Sequence, residues 1–251
     1  VTAGDSHTCA VRRDGTVICW GSNQMGQLAA VTAGSSTDPR PIRGVEGTSV
    51  MGSGWNQTCV VTTVGELRCW GDDLFGQLGD GTTSGPSTLP LTMASASRVS
   101  AVAAGAFHTC VVASGVVDCR GMNGDGQLGN GDAGFGSTSN PIATLPSIVS
   151  IDAASATSCA VGSAGSLDCW GDGRDGQLGS GVDSSTAPVS ISGLGQVASV
   201  AVGGHHVCAV LVGGGVKCWG DASRGQIGAI TTANAAPTAV GPLGAVRQIS
   251  A

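Results

Sequence analysis

The amino-acid sequence predicts an all-β propeller built from four-stranded antiparallel blades, about 50 residues per repeat. Three observations carry that expectation: a fivefold internal repeat, a cysteine pair at a fixed register in every copy, and glycine-bearing turns between short apolar segments. Cys9, Cys59, Cys110, Cys159 and Cys208 recur at spacings of 50, 51, 49 and 49 residues. Cys19, Cys69, Cys119, Cys169 and Cys218 follow them by nine or ten positions. A period in this range is the mark of a repeat architecture, and four short strands per unit is that of a propeller blade. The period divides the chain into units 1–50, 51–101, 102–150, 151–199 and 200–248, forming one repeat domain across 1–251. Residues 249–251 take the register of Val1-Thr-Ala and begin a further unit, so the five units are expected to belong to a seven-bladed or longer array.

Composition agrees with this architecture. Glycine supplies 43 of 251 residues with no collagen period, which implies many tight turns. Aromatics are 3% and tyrosine is absent, leaving Val, Ala, Leu and Ile to fill pleated strands. The net charge is −6, and Lys217 is the only lysine. With no basic stripe, a nucleic-acid partner is not expected. No apolar run approaches the ~18 residues of a transmembrane helix.

Each unit parses into the same elements. A small apolar segment opens it, such as Val102-Ala-Ala or Val200-Ala-Val. A second strand starts at the first cysteine, and a third ends in Cys-Trp-Gly. The Gly-Gln-Leu-Gly segment turns the chain back, and a Pro-containing stretch leads to a fourth strand, as in Asn140-Pro-Ile-Ala. Short strands at regular spacing with turn signals between them indicate an all-β fold.

The cysteine register follows from the hairpin. If Arg13-Asp14-Gly15 is a three-residue loop, Arg12 faces Thr16, Val11 faces Val17, Ala10 faces Ile18 and Cys9 faces Cys19. Such a loop wants glycine at its left-handed last position, where Gly15, Gly65, Gly165 and Gly214 all fall. Unit three has one residue fewer, and a two-residue loop at Ser114-Gly115 again sets Cys110 opposite Cys119. Directly opposed residues lie within disulfide reach. The expectation is five disulfides, Cys9–Cys19, Cys59–Cys69, Cys110–Cys119, Cys159–Cys169 and Cys208–Cys218, set against reduced core thiols or a metal site. Zinc favours closer Cys pairs than these. Ten cysteines paired without remainder fit an oxidising compartment: extracellular, cell-surface or periplasmic.

The pattern His-Thr-Cys-Ala-Val, then Cys-Trp-Gly, then Gly-Gln-Leu-Gly resembles the regulator of chromosome condensation repeat family, in a secreted bacterial-type variant with a cysteine pair per repeat. Trp20-Gly21, Trp70-Gly71, Trp170-Gly171 and Trp219-Gly220 carry the resemblance, together with the Gly-Gln-Leu or Gly-Gln-Ile segments that follow them. Unit three departs with Arg120 in the Trp position, and unit one with Ala29 for the last Gly. The resemblance implies a propeller, usually of seven blades. It does not fix an activity, since similar chains include a nucleotide exchange factor, a photoreceptor, a secreted enzyme inhibitor and many protein-binding modules.

Several residues invite a functional reading and have a structural one beside it. His7, His108 and His206 share a register just ahead of the first cysteine, with Gln57 and Ser158 read in the same place; they line a channel or a metal, or bond to a neighbouring loop. The repeated Gln is an amide hook for a ligand or a brace for its own turn. The Trp of Cys-Trp-Gly is a ligand cage or packing between blades. Asp72, Asp73, Asn123, Asp125, Asp172 and Asp175 are calcium ligands or solvated turn residues, and their spacing does not match the twelve-residue calcium loop. No triad, phosphate loop or carboxylate pair stands out, so neither a catalytic residue nor a cofactor is assigned. The most variable loops flank Gly-Gln-Leu, and propeller loops gather on one face. Met25, Leu74, Phe75, Phe135, Arg174 and Arg224 are therefore the expected partner contacts. The expected function is a non-catalytic extracellular or cell-surface module that binds a protein partner. A scaffold or appendage that self-assembles through its repeats and a secreted inhibitor of the propeller type are the alternatives.

Overall fold

A computed structural model describes residues 1–31, 34–93, 97–228 and 234–251. These contain nineteen strands in five antiparallel sheets and no helix. Blade one holds β1 (Thr2–Ala3), β2 (His7–Val11), β3 (Val17–Gly21) and β4 (Ser36–Pro41). Blade two holds β5 (Thr48–Ser53), β6 (Gln57–Thr62), β7 (Leu67–Gly71) and β8 (Ser87–Thr92). Blade three holds β9 (Val99–Ala104), β10 (His108–Ala113) and β11 (Val116–Gly121). Blade four holds β12 (Ile148–Ala154), β13 (Thr157–Gly162), β14 (Leu167–Asp172) and β15 (Ser184–Ser190). Blade five holds β16 (Val197–Val202), β17 (His206–Leu211), β18 (Val216–Gly220) and β19 (Asn234–Ala239). Sequence-consecutive strands are neighbours in every sheet, and first strands of successive blades pack on one another around a common axis.

The hairpins form in the expected register. Cys9 pairs with Cys19, Ala10 with Ile18 and Val11 with Val17, and the Arg12 N–H bonds Thr16 at 2.8 Å. Gly15, Gly65, Gly165 and Gly214 all take positive φ, between 79° and 88°. In blade three Ser114 (φ 52°) and Gly115 (φ 81°) make the shorter loop, and Cys110 still meets Cys119. All five disulfides are present, with Cα–Cα separations of 4.0–4.1 Å.

Two expectations are corrected. The unit boundaries 50/51, 101/102, 150/151 and 199/200 each fall inside a first strand, β5, β9, β12 or β16. Cysteine spacing sets a period and leaves its phase open; the sheets divide at the connections before residues 48, 99, 148 and 197. The fourth strand expected at Asn140-Pro-Ile-Ala is also missing. Blade three keeps only two bridges in its place, Gly121 to Gly136 and Val117 to Ile142. Between them the Asn140 N–H goes to the Asp118 carboxylate at 3.1 Å and the Ser139 hydroxyl to the same carboxylate at 2.6 Å. Pro141 follows with no N–H to give. Two consecutive residues thus withdraw from the ladder.

Four of the five apolar clusters lie between blades, and the fifth lies on blade five. One joins Leu28, Ile42 and Val45 of blade one to Val60 and Trp70 of blade two. Another joins Leu128 and Ile142 of blade three to Ala160 and Trp170 of blade four. Every cysteine lies in one of these clusters, so the bridges staple strands from inside the packed layer. Each closes a loop of about ten residues, a constraint of about 2–3 kcal/mol.

Candidate functional site

The repeated residues build the joints, as the packing readings expect. The indole N–H groups of Trp70, Trp170 and Trp219 donate to the backbone carbonyls of Gln27, Gln127 and Gln177 in the preceding blade, at 2.8–2.9 Å. The Gln side chains brace their own turns: Gln27, Gln77, Gln127, Gln177 and Gln226 each accept the N–H two residues upstream, at 2.8–3.0 Å. Asn23, Asp73 and Asn123 accept the N–H of Leu28, Leu78 and Leu128, so these oxygens are spent on the turn. Burial pushes the Asp73 carboxyl up to about 6.

The imidazoles sit between blades. His7 Nε2 lies 2.7 Å from Thr58 Oγ1, and His108 Nε2 lies 2.8 Å from Ser158 Oγ. Burial holds both rings down at about 4. The strand register corrects one assignment: Thr157, not Ser158, occupies the His position of blade four, because Thr157 faces Gly171 as His108 faces Gly121. Ser158 is the acceptor or donor that the previous blade's His needs. A cavity of about 710 Å³ runs along the axis, lined by first-strand segments such as Ser53-Gly54 and Ala153-Ala154. Asp152 lines it too, and its carboxylate accepts the Val202 N–H of blade five at 2.7 Å; burial raises it to about 6. That carboxylate clamps two blades.

The loops joining first to second strands, and those joining third to fourth, emerge on one face, and there the structure gathers the remaining aromatics. The chain has five Trp, three Phe and no Tyr. Four Trp belong to Cys-Trp-Gly; the other four aromatic rings form one continuous row. Trp55 meets Phe107 at a centroid distance of 5.2 Å, Phe107 meets Phe75 at 5.4 Å, and Phe75 meets Phe135 at 5.4 Å. Each ring comes from a different loop, two on blade two and two on blade three. Trp55 is 45% exposed, Phe135 65% and the adjoining Leu74 55%. Where blade three lacks its fourth strand, a cavity of about 410 Å³ opens below the Phe135 loop, lined by Leu128, Asn130, Asp132, Phe135, Thr138 and Asn140.

Of the expected contacts, Leu74, Phe75 and Phe135 come together here, with Phe75 half-buried. Arg174 lies beside them on blade four, exposed and paired with Asp125 and Asp172. Met25 is half-buried on blade one, where an exposed position was expected, and Arg224 is exposed on blade five, so neither joins the row. Trp55 and Phe107 were not singled out as contacts. The signal that finds them is compositional: they are the aromatics left once Cys-Trp-Gly and the variable loops are accounted for.

The fold and this loop face define a repeat propeller. Two profiles, both of the Regulator of chromosome condensation (RCC1) repeat, match residues 1–27 with 197–226 and 65–112 with 164–210, rather more than half of the chain. The chain belongs to the regulator of chromosome condensation repeat family. No curated protein matches it by sequence. Among solved structures, human WBSCR16 aligns over 96% of this chain and 66% of its own, at 23% identity and TM-score 0.84. Prp20p of Saccharomyces cerevisiae aligns over 95% of this chain and 62% of its own, at 19% identity and TM-score 0.79. The CRINKLY ectodomain of the Arabidopsis thaliana receptor kinase ACR4 aligns over 92% and 65%, at 20% identity and TM-score 0.54. The likeness is one of fold, and the chain spans about two thirds or less of these structures' lengths.

Proposed function

We propose that this chain is a non-catalytic protein-binding module of an oxidising compartment, docking its partner on the loop face of blades two and three. The observation that carries the reading is the four-ring row with Trp55 and Phe135 exposed at its ends, since large apolar rings left together on a surface mark interaction sites. The Phe135 cavity beside it offers a pocket for an anchoring side chain. Most carboxylates and amides around the row are engaged in turns and ion pairs, which favours binding over catalysis. Five disulfides suit the extracellular, cell-surface or periplasmic setting. The solved relatives support the reading by kind: Prp20p was studied for binding to Gsp1p and histones, and the plant receptor kinase carries this fold in its ectodomain.

Affinity capture from the surface and secreted fractions of the source cells tests it. A partner should be retained by the oxidised chain and by a variant on the opposite face, Asp14→Asn. It should be lost with Trp55→Ala/Phe107→Ala. Equal capture by the aromatic double variant would place docking elsewhere, and turnover of any captured molecule would end the non-catalytic reading.

A further inference from the structure

Resting on that docking face, we propose that its occupant is a basic peptide segment of the partner, with arginine or lysine side chains laid across the aromatic row and balanced by the carboxylates around it. The loops that build the face on blades two and three are residues 54–56, 72–86, 105–107 and 122–140. They contain Asp72, Asp73, Asp80, Asp125 and Asp132, and no Lys, Arg or His. Asp72 and Asp73 directly precede Leu74-Phe75, and Asp132 shares the loop and the cavity wall of Phe135. Asp5 of blade one adjoins the other end, its N–H donating to the Trp55 carbonyl at 3.3 Å. The cations beside these loops are already held, Arg174 by Asp125 and Asp172 and the buried Arg120 by Asp118.

Asp72 adds an observation of a different kind. Its N–H donates to the Asn56 carbonyl beside Trp55 at 2.9 Å, and its Oδ1 accepts the Leu74 N–H at 3.1 Å. Its Oδ2 is buried and has no hydrogen-bond partner. In blades four and five the matching oxygen accepts from Gln177 or Gln226 Nε2, whereas in blade two Gln77 Nε2 is likewise without a partner. The Asp72 charge is therefore less compensated and favours a cation laid over the row. Aromatic faces and carboxylates together are the two recognition elements for such a group.

The same surroundings disfavour other occupants. Phosphate backbones and anionic lipid surfaces meet loops that hold no Lys, Arg or His, on a chain of net charge −6. Sugar rings stack on coplanar platforms, whereas these rings lie 57–68° from one another. A guanidinium needs only a single ring face, which an edge-to-face row still presents.

The probe is a fluorescein-labelled nona-arginine peptide, titrated by anisotropy at about 0.15 M salt against the oxidised chain. Trp55→Ala/Phe107→Ala changes no charge and is expected to weaken binding about tenfold; Phe135→Ala, at an exposed loop position, about threefold. Asp72→Asn/Asp132→Asn should weaken it similarly, and Asp14→Asn/Glu46→Gln on the opposite face should not. Mere attraction to a negative chain predicts no aromatic effect, and that result overturns the proposal. So does tighter binding of a nona-glutamate peptide, phosphatidylserine vesicles or a chitin hexasaccharide. A captured partner separates the two readings. If it is lost with the aromatic variant but survives Asp72→Asn/Asp132→Asn and about 0.5 M salt, docking stands and the basic segment falls. If the aromatic variant retains it, docking itself falls.

Discussion

Blades three and four share one repeat but are fastened to their predecessors differently. In blade four Trp170 is fully buried, its indole N–H on the Gln127 carbonyl at 2.9 Å, and four strands complete the sheet. In blade three Arg120 fills the same register, equally buried, with its guanidinium 2.8 Å from the Asp118 carboxylate. The last glycine of the preceding turn makes room in both cases. A Cβ at Gly129 would meet the Trp170 ring at 2.7 Å, and one at Gly79 would meet the Arg120 stem at 3.0 Å and Met93 at 2.7 Å. The same Asp118 takes the Asn140 N–H out of the ladder, and the segment ahead of it carries Phe135 and its cavity. Residues common to the units make the joints, and the aromatic row is anchored where a unit departs from them.

The largest effect expected from this contrast is at the ordinary joint. Trp170→Ala removes a buried indole from between two blades and should cost about 3–5 kcal/mol, read by denaturant unfolding with disulfides intact. A cost below about 1 kcal/mol would show that the Trp joint is not where the blades are held.

The next effect separates the blades directly. Asp118→Asn leaves the buried Arg120 guanidinium without its carboxylate and should cost about 3 kcal/mol. Asp168→Asn changes the matching position of blade four, where Asp168 accepts the Ser190 hydroxyl, and should cost about 1 kcal/mol. Equal losses in the two variants would mean that Asp118 is a strand-edge residue like Asp168 and not the counter-ion that lets an arginine replace a tryptophan.

The joints were legible in the sequence because each is repeated. A hairpin loop of fixed length places Cys9 on Cys19 by geometry alone, and unit three keeps the pairing by shortening the loop. Phase was not legible, since nothing in Thr48–Ser53 marks where a strand begins. The displaced fourth strand of blade three hinges on one side-chain carboxylate competing with backbone carbonyls, which no pattern of apolar residues announces. The aromatic row was least legible. Trp55, Phe75, Phe107 and Phe135 meet only because blades two and three stand side by side, and Leu74, Phe75 and Phe135 were reached through loop variability without the two rings that complete the row.

The smallest effect concerns the seam between the two blades. His108 bridges blade three to Ser158, whereas blade four has the non-titrating Thr157 in that register. Burial holds His108 at about 4, against 6.5 for the unfolded ring. Between those values the unfolded chain binds the additional proton, so this contribution is complete above about pH 6.5 and lost as pH falls toward 4. His108→Gln installs the side chain that blade two uses, where Gln57 Nε2 donates to the Gly105 carbonyl at 2.9 Å. Asp73 and Asp152, raised to about 6, act in the opposite sense, since the folded chain holds their protons longer. Both are common to the two proteins and cancel in the difference. Between about pH 7 and pH 5, wild type should therefore lose about 2 kcal/mol relative to His108→Gln. Parallel stability curves for the two proteins would show that the ring titrates as freely in the joint as in water, and that the seam is wetter than its packing implies.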